Sequence, residues 1–372
     1  MRRYDVDCLR VIVFGLLIFY HVGMFFVPWD YHIKDVKSYE GLIYPMLFLN
    51  QWRLSILFVI SGMGTYYALS KRNGCEFGLE RIKRLFIPLI VGMILIVPPQ
   101  VYFEWLDQGW FSGNYFDFWP AKAFLAPYPE GGISWHHLWF ILYLLIFSLV
   151  LIPAFIYLKR HPRAWVIRVM QFFSKNAFGP YIMIIPLFIW QVYLAPVYPS
   201  THALVGDWYN LINYCTLFFF GFLLISLKET FWELVKQNKI IYLILGVLAF
   251  SFLMLLWFEI GDFSGKEYMS AFVKVFNLWS WILAIFGYAA TYLNKPSKAL
   301  TYANESVYPL YILHQTIIVI LGYYLKHTDL GFFPKFSLMV IGTFGFSWII
   351  YEFGIRRYKW IRPLFGLKNN KE

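Results

Sequence analysis

The sequence predicts an all-α fold: a polytopic integral membrane protein of about ten transmembrane helices, with its N- and C-termini cytoplasmic. Three observations predict it. Of 372 residues, 60% are hydrophobic, 22% aromatic and only 14% charged, whereas soluble domains are about 25% charged. Apolar runs recur from Leu9 to Phe353 with no gap for a large water-soluble domain, so residues 1–372 read as a single membrane domain. Finally, the basic residues collect in alternate loops.

The elements follow in order. A bilayer core requires about 20 apolar residues per helix, and windows near 9–28, 46–70, 83–103, 138–158, 177–196, 208–226, 240–258, 271–293, 304–324 and 336–354 qualify. The first begins behind Arg2-Arg3, but its apolar run from Val11 to Val27 has no small-residue cleavage site. It therefore reads as a retained helix rather than a signal peptide. With loops assigned alternately, 24 of the 32 Lys and Arg residues fall on the N-terminal side, seven on the other side and one, Arg53, within a span. That asymmetry fixes the orientation.

The net charge of +11 thus reads as topology, not as affinity for nucleic acid. The longest external connection, about 104–136, is rich in Trp105, Trp110, Trp119, Trp135 and Gly131-Gly132. It either covers a site from outside or forms an interfacial aromatic belt. A basic cytoplasmic tail occupies about 355–372. Cys8, Cys75 and Cys215 are too few and too scattered for a disulfide framework. No repeat is evident, which disfavours solenoids and inverted-repeat transporters.

Charged or titratable groups inside a span cost several kcal/mol, so each is a functional candidate. On the first helix, Arg10 and His21 are eleven residues apart, about 16 Å along the axis and within roughly 20° of the same face. The second helix carries Asn50, Gln51 and Arg53 before Ser61-Gly62, and the ninth carries His314-Gln315 about midway. His21, Arg53 and His314 are thereby expected at comparable depth, as around a polar cavity. The bland alternatives are an interhelical hydrogen bond for either histidine and snorkelling to the outer interface for Arg53.

At the inner end of the third helix, Arg81-Ile82-Lys83-Arg84 sets two guanidinium groups at i and i+3, a clamp suited to phosphate or simply positive-inside charge. Trp135-His136-His137-Leu138-Trp139 places two histidines at the mouth of the fourth helix. No carboxylate or thiol companions that would make them metal ligands can be located.

Asp7-Cys8-Leu9-Arg10 with His21 ten intervening residues later, the Arg81/Arg84 pair, and Tyr308-Pro309-Leu310-Tyr311-Ile312-Leu313-His314-Gln315 resemble motifs of acyltransferase family 3. These are ten-helix membrane enzymes that move acyl groups onto extracytoplasmic sugars. Trp52-Arg53-Leu54-Ser55 through Ser61-Gly62, and His137-Leu138-Trp139-Phe140, look most like the branch containing glucan biosynthesis protein C, associated with succinylation of periplasmic glucans.

The resemblance implies an O-acyltransferase of the bacterial inner membrane, with no bound cofactor, acetyl-CoA or succinyl-CoA as donor and a glycan hydroxyl as acceptor. It implies that Arg81, Arg84 and Lys83 hold acyl-CoA from the cytoplasmic side, with His21 at the reaction centre. Imidazole serves there as a general base, favoured over an acyl-histidine. Arg10 would bind donor phosphate or orient the thioester arm. Arg53 would stabilise a developing oxyanion or pair with a succinyl carboxylate. Ser61, His137, Trp139, His314 and Gln315 would line the acceptor side or the cavity.

The rival reading is a transporter or flippase of a glycan or organic anion. It is disfavoured because Glu305 and Glu352 lie near span ends and no central carboxylate exists.

Overall fold

The computed structural model describes residues 3–369. Among these the regular structure is helical, with no strand beyond an isolated bridge between Pro127 and Ile133. Each of the ten expected windows coincides with a helix. Eight are long and apolar enough to cross a membrane: α1 (Tyr4–Met24), α2 (Glu40–Leu69), α3 (Gly74–Gln108), α7 (Trp208–Ser226), α8 (Glu229–Phe258), α9 (Lys266–Tyr292), α10 (Lys298–Leu325) and α11 (Phe332–Ile355).

The fourth window is a pair, α4 (His136–Val150) and α5 (Ile152–Arg160), bent by 50°. The break falls where Pro153 has no N–H to return to the preceding turn. The fifth, α6 (Gly179–Tyr193), is apolar but shorter, beginning as a tight 3₁₀ turn at Gly179-Pro180.

The helices pack as two compact units. The first comprises Met1–Arg10, Phe48–Leu79 and Ile146–Ser297. Within it α2 and α7 cross at two glycines. A Cβ on Gly62 would lie 1.9 Å from the Phe218 carbonyl oxygen, and one on Gly221 would lie 1.9 Å from that of Val59. Apolar side chains gain little by leaving lipid for another helix, so this backbone-to-backbone approach supplies the packing. Trp279 Nε1–H donates to the Pro180 carbonyl at 3.0 Å, and Tyr181 and Ser280 share a 2.8 Å hydrogen bond, tying α6 to α9.

The second unit comprises Val11–Leu47, Glu80–Leu145 and Lys298–Glu372. Its central feature is α3, which departs twice from α geometry, in π turns at Ile82–Phe86 and Gly92–Ile96. Proline accounts for both. Pro88 cannot donate to the Arg84 carbonyl. Pro98 and Pro99 together deny the Ile94 carbonyl both its α and its π partner.

Tertiary contacts take up the slack. Trp119 Nε1–H donates to Ile94 O at 3.1 Å, and the Thr316 hydroxyl donates to Ile96 O at 2.6 Å. The connection from α1 to α2 is also pinned. Asp35 N–H and Tyr39 N–H return to the Phe25 and Phe26 carbonyls at 2.9 and 2.8 Å, and Lys335 clasps the buried Asp35 carboxylate at 2.6 Å.

Candidate active site

His21 of α1 and His314 of α10, both in the second unit, are brought together. Their rings lie almost parallel, 13° apart, with centroids at 5.1 Å. His21 Nδ1 and His314 Nε2 are 2.9 Å apart, and His314 Nδ1 is 2.5 Å from the Tyr311 carbonyl oxygen. A carbonyl only accepts, so His314 carries its proton on Nδ1 and accepts at Nε2. The bond to His21 is then donated by His21 Nδ1–H, and the basic lone pair of His21 sits on Nε2. His314 is fully buried, and the Phe14 ring meets it edge-on. A backbone oxygen thus sets the protonation pattern of two imidazoles in series.

His137 has a different part. Its Nε2–H donates to the Ile312 carbonyl at 3.0 Å, and its Nδ1 accepts from the Gln100 amide at 3.3 Å. Both nitrogens are committed, so this ring serves as a wall; it stands edge-on to His314 at 5.2 Å and 88°. Gln100 is held in turn by the Thr316 hydroxyl at 2.8 Å, and the Tyr311 hydroxyl donates to the His137 carbonyl. Trp139 packs edge-on against Tyr143 at 5.2 Å. Gln315 is 3% exposed, its Oε1 has no hydrogen-bond partner, and its side chain faces the Tyr31 phenol.

Arg81 and Arg84 lie at the first π turn of α3, both within electrostatic reach of the Tyr308 phenol. Lys83 is exposed. Arg84 Nε–H donates to the Gly366 carbonyl at 3.2 Å, and its Nη1 is 3.8 Å from Glu80 Oε1. The tail turns onto the helix there because Gly366 adopts φ +69°. A Cβ at that position would come within 2.1 Å of the Tyr308 ring and 2.9 Å of the Arg84 carbonyl oxygen. Arg362 fastens the turn, donating to Glu305 at 2.8 Å and to the Lys368 and Arg356 carbonyls.

The remaining candidates belong to the first unit. Arg10 pairs with Asp7 at 3.2 Å, and its Nη2 lies beside Gly64. Arg53 is 5% exposed, donates to Asn50 Oδ1 at 2.6 Å, and lies within reach of His202 in the connection to α7. Burial holds the His202 imidazole below its ordinary value; the Arg53 charge adds to this and Asp207 opposes it. The Arg53 head is thus buried among protein groups. The Ser61 hydroxyl returns to the Leu57 carbonyl at 2.7 Å within its own helix.

Sequence reasoning missed Gln100, Thr316, Tyr31, His32 and Glu104. The apolar run stops just short of Glu104, which reads as loop, but α3 continues to Gln108. Gln100 and Glu104, four apart beyond a proline pair, share a helical face and were the available signal.

The sequence profile of the family described as Acyltransferase domain matches residues 3–352. The chain is 22% identical to Glucans biosynthesis protein C of Escherichia coli K12, over 95% of this chain and 92% of the relative. The same protein of E. coli O81 strain ED1a gives the same identity and coverage. No solved structure matches the chain. A family match of this extent settles what the helices and histidines had suggested: the chain belongs to acyltransferase family 3 and is a multi-pass membrane O-acyltransferase.

Proposed function

We propose that the protein moves an acyl group, succinyl or acetyl, from cytoplasmic acyl-CoA to a hydroxyl of an extracytoplasmic glucan or other glycan in the bacterial inner membrane. One observation carries the reading: the chain of hydrogen bonds Tyr311 O, His314, His21 leaves the basic lone pair on His21 Nε2. His21 Nε2 takes the proton of the acceptor hydroxyl as its oxygen attacks the thioester carbonyl. The C–S bond then breaks and the same proton passes to the departing thiolate, releasing free coenzyme A and returning His21 to neutrality.

While His21 is charged, His314 Nε2 accepts its Nδ1–H and steadies the cation, as a positioning group does in a catalytic triad. Arg81 and Arg84, with Lys83 beside them, hold the phosphates of the donor. Arg10 is assigned to the donor arm, and Arg53 to a carboxylate of the acyl group or a developing oxyanion. The names of the relatives support a glucan acceptor.

Membrane vesicles given acyl-CoA labelled in the acyl group should transfer label to envelope glycan, and mass spectrometry of that glycan would name the group. His21→Ala should lower incorporation by about 10²–10⁴-fold while the protein stays folded in the membrane. Undiminished labelling by that variant would overturn the mechanism.

A further inference from the structure

We propose that Glu104, with His32 and His136, forms a subsite for a hydroxyl of the acceptor sugar, on the second unit at the end that the charge bias assigns to the exterior. This rests on the proposed glycan acceptor. Glu104 lies on the last turns of α3 with its side chain 10% exposed, and each oxygen has one partner. Oε2 meets His32 Nδ1 at 2.9 Å, and Oε1 accepts from the Tyr128 hydroxyl at 2.9 Å. The His136 ring closes the cluster, edge-on to His32 at 4.9 Å and to Tyr128 at 4.9 Å.

The cluster adjoins the histidine pair. His136 precedes His137, whose ring abuts His314. Tyr31 packs against His32 at 5.4 Å and faces Gln315.

The cluster is built for a ligand with many hydroxyls. His136 Nε2, Gln100 Oε1 and Gln315 Oε1 are buried without hydrogen-bond partners, an arrangement that is costly unless something else binds there. Among the described residues no group of three His, Cys, Asp or Glu is placed to hold a metal ion, so the donors do not converge on a cation. The Tyr128 hydroxyl makes the bond to Glu104 that a sugar hydroxyl would make. Burial and the Glu104 charge push its phenol up, so it stays a neutral donor. Exchanging one O–H for the other keeps the carboxylate satisfied.

The test uses the full-length protein in nanodiscs, first without acyl-CoA, with laminaripentaose as a neutral β-glucan probe followed by saturation-transfer NMR. Glu104→Gln should weaken binding tenfold or more. In the acyl-transfer assay it should raise the KM for glucan by a similar factor and leave the KM for acyl-CoA unchanged, a split that loss of fold would not give. His136→Ala, which leaves both bonds to Glu104 intact, should raise the glucan KM as well. Tyr128→Phe, which vacates Glu104 Oε1, should lower it several-fold.

Wild-type protein that ignores the probe, or a Glu104→Gln variant with unchanged glucan KM, overturns the subsite even where acyl transfer is intact. Glu104-dependent glucan binding by a protein that transfers no acyl group upholds the subsite and removes the proposed function instead.

Discussion

The histidine pair and the arginine pair belong to one unit and are held in opposite ways. Around His21 and His314 each hydrogen bond ends on a backbone carbonyl or on a buried neighbour, and the chain of donors permits one protonation pattern. At the arginine pair Arg84 lies nearer solvent: its side chain is 43% exposed, and it shares Glu80 with Lys368 at 3.8 Å each. Under the proposed function the first arrangement fixes the geometry of the base and governs the rate of bond breaking, and the second supplies screened charge that governs occupancy by the anionic donor.

Three variants sharpen or break that contrast. His314→Ala removes the acceptor that orients His21, and kcat should fall on the order of 10²-fold with little change in either KM, by analogy with losing a group that orients a general base. An equal change in donor KM would mean that the pair does not act as a positioned base. Arg81→Ala combined with Arg84→Ala should raise the acyl-CoA KM roughly tenfold at low salt, with kcat preserved at saturating donor. The deficit should shrink as ionic strength rises, and an effect insensitive to salt would contradict a screened clamp. The smallest change is expected from Thr316→Val. It leaves the Ile96 carbonyl without its hydroxyl and slackens Gln100, costing about 1–3 kcal/mol. This is readable as a lower melting temperature in nanodiscs with activity reduced only a few-fold.

Much of this architecture is legible in the residues, because hydropathy reports directly on the solvent each helix faces. The windows from Leu9 to Phe353 all coincide with helices. The bend before Pro153 and the shortness of α6 were not legible, since a window average does not register a single missing N–H. At the site, His21 and His314 stand out as imidazoles set in apolar runs and matching depth is readable, but the facing that pairs them is set by how the helices are rotated.

Arg53 was harder to read. Depth along α2 is periodic and readable, but the direction of a long flexible side chain depends on Asn50 and on a distant connection near His202. Gln100 and Thr316 are neutral and common, and only the proline-induced π turn beside them makes them structural. Glu104 reads as loop because α3 ends about one turn later than its apolar run.

The prolines of α3 carry a consequence for its neighbours. A hydrocarbon interior offers no water to a carbonyl that has lost its helical donor, so such an oxygen must be met from elsewhere in the protein. The Trp119 indole and the Thr316 hydroxyl do this at Ile94 and Ile96, and each donor so recruited fixes how its own segment is seated against α3. A helix broken by its own prolines thereby becomes the piece that others are built to fit.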